Sequence, residues 1–209
     1  MIPLFQIHGL WVAVALPLLV ACSSRPDRTI ENLKNAITSE TGAAVRYRAF
    51  AVQAEKEGFV NISNLLEAIA RSEEIHAVRQ RKALSGYGEP VGETNLPLPR
   101  IGSTRENLKM SLRTEHFMSQ TVFPIFEASA AAEGATEAEQ LFRRATAVSV
   151  LHSEYCRNAL DKLENEGSDW NVVNSWSVCP RCGCPYMTAK LRENCNICEE
   201  PASSFILCQ

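Results

Sequence analysis

The chain lacks net charge: 21 Lys+Arg stand against 24 Asp+Glu in 209 residues, a formal −3. That removes the electrostatic footprint of a nucleic-acid binder, so no nucleic-acid partner is expected. It also lacks long apolar runs. The one candidate, Leu10 to Val20, has eleven residues with Pro17 among them. A helix of that length is too short to span a bilayer. With 45% hydrophobic and 22% charged residues, the composition of a disordered chain is absent as well. Cysteine is missing from 23 to 155. The eight cysteines fall at 22, at 156, and six times within 179–208.

The apolar run has the length of a signal-peptide core. It ends in Leu19-Val20-Ala21-Cys22-Ser23-Ser24, which resembles the lipobox of bacterial lipoproteins. The resemblance implies a signal peptide over 1–21, lipidation of Cys22, and an exported chain held to a membrane only by its lipid anchor. The n-region departs from that pattern in having no Lys or Arg. The alternatives are a plain buried or anchoring N-terminal helix and, for location, the cytoplasm. Residues 22–28 read as a polar linker.

The body is a repeat. Glu31-Asn32-Leu33-Lys34 returns as Glu106-Asn107-Leu108-Lys109, and Glu40 returns as Glu115, both at an offset of 75. Glu57-Gly58 returns as Glu133-Gly134, and His76 as His152, both at 76. One residue has therefore been added in the second half, near Pro124. Each half reads as helix–turn–helix around its central Gly. The predicted helices are 29–57, 61–84, 104–132 and 136–165. The Gly- and Pro-rich segment 85–103 between the halves is a crossover. Four helices with one long middle connection form a ferritin-like four-helix bundle, here over 29–167.

Helical stripes at i, i+3, i+4, i+7 spacing place Glu40, Glu73, His76, Glu115 and His152 on faces that otherwise point inward. A buried unpaired carboxylate costs several kcal/mol, a penalty that a metal ion removes. Di-iron carboxylate bundles use a Glu from each of two helices and a Glu-x-x-His from each of the other two. Glu40 and Glu115 fit the first role and Glu73-x-x-His76 the second. The matching fourth motif keeps His152, but position 149 is Ser.

Cys179-x2-Cys182 and Cys195-x2-Cys198, twelve residues apart, turn four thiolates toward one ion. About forty residues bury too little apolar surface to fold alone, so metal binding supplies folding energy over 172–209. Trp176, Tyr186 and Phe205 are candidates for a small aromatic core. The thiolate set suits iron or zinc, and disulfides are a third reading. Cys184 and Cys208 lie outside the tetrad; they could pair in an oxidising compartment or remain plain surface thiols. Cys156 reads as a small buried apolar residue.

From about Thr29 onward the chain resembles the rubrerythrins. The resemblance rests on Ile37-Thr38-Ser39-Glu40-Thr41, on Ala70-Arg71-Ser72-Glu73-Glu74-Ile75-His76, and on the C-terminal Cys pairs. It implies a ferritin-like bundle followed by a small rubredoxin-like β module. It further implies iron in both: a mononuclear tetrathiolate iron on Cys179, Cys182, Cys195 and Cys198, and a bundle iron site on Glu40, Glu73, His76, Glu115 and His152. The implied activity is that of a peroxidase-type oxidoreductase, with electrons passing from the tetrathiolate iron to the bundle, where hydrogen peroxide is reduced. The implied partners are an electron-donor protein and a second copy in a head-to-tail homodimer. One module would then serve the other chain's bundle site, a site too deep for its own module to reach.

Three positions depart from the family pattern. Met118 replaces a carboxylate, Phe123 a tyrosine, and Ser149 the bridging glutamate. Three carboxylates leave two divalent ions under-neutralised, so the bundle is expected to hold two irons less tightly, or one metal, or none. The alternative function is a rubredoxin-type electron carrier, or a zinc-stapled lipoprotein, on a vestigial bundle.

Overall fold

The structure is a computed structural model that describes residues 25–90, 92 and 96–208. The signal-peptide reading and Cys22 lie outside the described residues. Two long antiparallel helices, α1 (Asp27–Lys56) and α2 (Val60–Gly86), form the first hairpin. In the second hairpin, α3 (Thr104–Phe117), a π-helical turn (Met118–Val122) and α4 (Phe123–Ala132) run on as one rod. That rod returns through α5 (Thr136–Glu166). The predicted spans hold to within about two residues at each end, as helix ends generally do. Gly58 and Gly134 close the two hairpins at φ 85° and 68°, a conformation that favours glycine.

The π turn explains the change of repeat offset. An inserted residue in a packed helix would rotate every later side chain off the core. A single π turn absorbs it, leaving the stripe on either side in register. Pro124 follows at the start of α4, where its ring would clash with a regular α-helical turn. The Ser119 hydroxyl donates to the Glu115 carbonyl at 2.8 Å within this stretch.

The repeated Glu-Gly pair also has a structural reason. Glu133, past the end of α4, accepts from the Thr29 amide at 2.8 Å and from its hydroxyl at the start of α1. Glu57, past the end of α1, accepts from the Thr104 amide at 3.0 Å at the start of α3. Each hairpin thus caps the leading helix of the other, satisfying amides that have no intrahelical partner.

The module is a three-stranded antiparallel sheet of order β2-β1-β3, with β1 Trp176–Val178, β2 Pro185–Met187 and β3 Ile206–Cys208. It packs on α2 and α5 of its own chain. Asp169, in the connection, accepts from the Asn61 and Ile62 amides at 2.6 and 3.1 Å and so caps α2. Trp176 and Val178 are buried in the same cluster as Leu65, Ile69 and Leu160 of the bundle. The predicted aromatic trio is accordingly divided. Tyr186 and Phe205 stack at 5.2 Å, but the Trp176 ring meets Tyr155 of α5 at 4.8 Å. The buried indole thus ties the module to the bundle.

Candidate metal centres

Glu40 on α1, Glu73 and His76 on α2, Glu115 on α3 and His152 on α5 converge at mid-bundle, all buried. The one spanning arrangement that spacing alone does not reveal belongs to Glu73. One of its oxygens lies 2.9 Å from His76 Nδ1 and the other 3.3 Å from His152 Nδ1. Glu40 completes the first group at 3.4 Å from His76 Nδ1, and Glu115 the second at 3.5 Å from His152 Nδ1. The five residues therefore form two triads, Glu40-Glu73-His76 and Glu73-Glu115-His152. Glu73 is common to both, in the pose of a bridging carboxylate.

The residues fit a metal pair on their own chemistry. Among the described residues neither ring nitrogen of the wholly buried His152 makes a well-formed hydrogen bond; Nδ1 has only the long contacts to Glu73 and Glu115. A buried polar atom without a partner is costly, and a divalent ion between Nδ1 and the two carboxylates would satisfy it. Burial, reinforced by the neighbouring Glu73 charge, pushes the Glu40 carboxyl up to about 8. Burial opposes charge on His152, but Glu73 and Glu115 overcome it and hold the imidazole at about 9. His76 is likewise raised against its burial, chiefly by Glu40. Burial opposes charge on Glu73 as well, yet the two histidines keep it well below the usual carboxylate range. Metal-free, the cluster holds itself together with protons that a cation would displace.

Two neighbours of the cluster escaped the sequence reading. Tyr47 donates its hydroxyl to Glu115, and burial together with that carboxylate keeps the phenol protonated. Gln80 Nε2 donates to Glu40 at 3.4 Å. Both stand in the inward stripes, seven residues after Glu40 and four after His76, which was the available signal. At the departures from the family pattern, Met118 and Phe123 pack into the apolar cluster of Ile37 and Phe142. Hydrocarbon thus fills the space there. Ser149 is buried, and Glu73 alone takes the shared position.

The four tetrad thiols also gather. Cys179 and Cys198 sulfurs are 3.5 Å apart, as are those of Cys182 and Cys195. A tetrahedron of ~2.3 Å metal–sulfur bonds has edges of about 3.8 Å, whereas a disulfide needs about 2.05 Å. The spacing suits one ion, and the disulfide reading falls away. Cys184 and Cys208 do not pair either. Cys208 is opposite Trp176 and Cys184 adjoins Pro185 opposite Val178, so they lie at opposite corners of the sheet. The Tyr186 hydroxyl accepts from the Asn196 amide at 2.9 Å and donates to Cys195 Sγ at 3.2 Å.

One imidazole joins the two centres. His76 presents Nδ1 to Glu40 and Glu73, and Nε2 lies 3.0 Å from the Cys182 carbonyl. A carbonyl only accepts, so Nε2 carries the proton. Gly183 makes this approach possible: a Cβ there would stand 2.8 Å from His76 Nε2 and 2.9 Å from the Ser72 carbonyl. The expectation that a module cannot reach its own bundle site is therefore corrected. The module lies along the flank of α2, and its first cysteine loop meets His76 about 24 Å from the start of that helix.

A family model described as Rubrerythrin matches residues 31–160. Nigerythrin of Nitratidesulfovibrio vulgaris is 33% identical over 178 residues, covering 85% of each chain. A rubrerythrin of Clostridium perfringens is 31% identical over 188 residues, covering 88% of this chain and 95% of its own. A solved mixed-valence state of nigerythrin superposes with a TM-score of 0.77 at 29% identity, covering 95% of this chain and all of the other.

Proposed function

The chain belongs to the rubrerythrin family, and from that premise we propose that it is an iron protein that reduces hydrogen peroxide with electrons relayed from its tetrathiolate centre. The carrying observation is the His76 bridge, bound on one side to the carboxylate cluster and on the other to the loop of the cysteine tetrad.

In this reading Cys179, Cys182, Cys195 and Cys198 hold one iron. Glu40, Glu73, His76, Glu115 and His152 would hold two, Glu73 being the residue common to both triads. Iron supplies one-electron chemistry at the tetrad and two-electron reduction in the bundle. The net change is hydrogen peroxide plus two electrons and two protons giving two waters. His76 orients toward the carboxylates because the Cys182 carbonyl fixes its Nε2 proton. Tyr47 fixes the orientation of Glu115 through its hydroxyl. The surrounding Ala, Leu and Ile side chains exclude bulk water.

Iron per chain tests this. About three irons, with tetrathiolate absorbance that bleaches on reduction and returns on adding peroxide, is the expected result. The carrier alternative is favoured by Ser149 and Met118, which remove two hard ligands. It would give about one iron and no peroxide-dependent return, and would overturn the peroxidase reading.

The further readings are a homodimer, an electron-donor protein and a lipid anchor at Cys22. Labelling with radioactive palmitate, abolished by Cys22→Ala, tests the anchor. Mixing His76→Ala with Cys182→Ser chains separates the two relay geometries. A head-to-tail relay between chains regains activity on mixing, whereas a relay within one chain does not.

A further inference from the structure

Outside the junction of the two centres lies a hollow of about 220 Å³, lined by Arg79, Lys82, Glu137, Gln140, Leu141, Arg144 and Arg181. A crevice running in from it is lined by His76 and Cys182. Four cations and one carboxylate make this hollow strongly positive on a chain whose net charge is −3. The cations are largely uncompensated. Among the described residues Arg79 donates to the Pro180 carbonyl at 3.1 Å, and Arg144 reaches only Gln140 at 3.5 Å. Arg181 comes no nearer a carboxylate than 3.8 Å, at Glu200, and Lys82 has no ion pair among the described residues. The contrast is the groove between α1 and α2, where Arg48 and Arg71 both pair with Glu74.

We propose that this hollow is the docking site of a small acidic one-electron donor protein. The inference rests on the tetrathiolate iron of the proposed function. Two features fix the class of partner. The charge selects an acidic surface. The position selects a redox protein: Arg181 belongs to the Cys179–Cys182 loop itself, and the crevice floor is the Cys182–His76 contact. A donor seated here is oxidised by one electron as the ferric tetrathiolate iron becomes ferrous, and no atom is transferred.

The test uses the full iron-loaded chain and a reduced plant-type [2Fe–2S] ferredoxin as the acidic probe, following the bleaching of tetrathiolate absorbance by stopped flow. The second-order rate is expected to fall steeply with ionic strength. Lys82→Glu with Arg144→Glu lowers it at least tenfold at low salt. Arg48→Glu with Arg105→Glu, an equal charge change elsewhere, leaves it within about twofold. Reduced methyl viologen, a small cation, reduces both double variants at least as fast as the parent. Equal ferredoxin rates in the two double variants would overturn the docking site. So would inhibition by inorganic phosphate beyond that of chloride at matched ionic strength, since the hollow would then be a small-anion site. Failure of methyl viologen to bleach the parent would instead remove the tetrathiolate iron, and this proposal with it.

Discussion

Replacing Gly183 by alanine probes the contact on which the relay depends. Gly183 has φ 78°, and alanine in that left-handed region costs about 1 kcal/mol. Its new Cβ would stand 2.8–2.9 Å from His76 Nε2, the Ser72 carbonyl and the Ser72 hydroxyl. The Ser72 carbonyl belongs to the backbone of α2 and cannot swing aside, so the loop must lift by about half an ångström. That stretches the 3.0 Å Cys182–His76 bond to a length that no longer counts as one, a loss of about 1 kcal/mol. Disturbed packing adds a similar amount. Together, about 3 kcal/mol lowers the docked-to-undocked ratio roughly a hundredfold. Hydrogen exchange of the β1 amides should rise by that factor, and electron transfer between the centres should slow. Glu199→Ala is the control, because Glu199 holds the matching left-handed position (φ 61°) after Cys198 but is exposed. It should leave docking unchanged. If Gly183→Ala exchanges and transfers electrons as the parent does, the His76–Cys182 contact is not part of the working molecule.

Three further outcomes are expected. Tyr186→Phe removes the O–H donated to Cys195 Sγ and lowers the midpoint potential of the tetrathiolate iron, because hydrogen bonds to sulfur favour the more negative, reduced state. Spectroelectrochemistry checks this, and an unchanged potential would show that the bond is silent. Glu73→Gln removes the ligand common to both triads, so bundle iron should fall from about two to near zero while the tetrad keeps one, as elemental analysis would reveal. The metal-free chain should lose thermal stability as pH rises. Its folded Glu40 and His152 titrate near 8 and 9, above their ordinary 4.5 and 6.5. The folded state then holds extra protons, and its advantage is complete below pH 4.5 for Glu40 and 6.5 for His152. Each advantage disappears through the folded value, for His152 on the order of 3 kcal/mol. Glu73, lowered, acts only in acid. Calorimetry between pH 6.5 and 9 should show the decline without metal and a flatter profile with iron bound. A flat metal-free profile would refute the proton-held cluster.

Much of this site is legible from spacing. A period of 3.6 residues puts Glu40, Glu73, His76, Glu115 and His152 inward without any structure, and C-x2-C pairs announce their own geometry. Periodicity assigns a face, however, and not the neighbour that each atom meets. The two oxygens of Glu73 are identical in sequence, yet one meets His76 a turn along the same helix and the other meets His152 because α5 packs against α2. The Gly183 turn reads as an ordinary knuckle, and only the proximity of His76 shows why glycine is needed there when Glu199 suffices in the other loop. Trp176 and Asp169 were opaque for the same reason. Their partners are more than a hundred residues away in the chain or on a helix whose docking the sequence does not encode locally. The added residue near Pro124 was visible as an offset change, but its form as a π turn was not.

The exchange of helix caps between the hairpins bears on how the fold is held together. Glu57 closes a helix of the second hairpin and Glu133 a helix of the first, so neither half carries its own complete set. Such an arrangement is that of two hairpin subunits fused end to end, with the crossover acting as a leash. A chain nicked between the hairpins would still keep every cap, and its two pieces would have reason to find each other again.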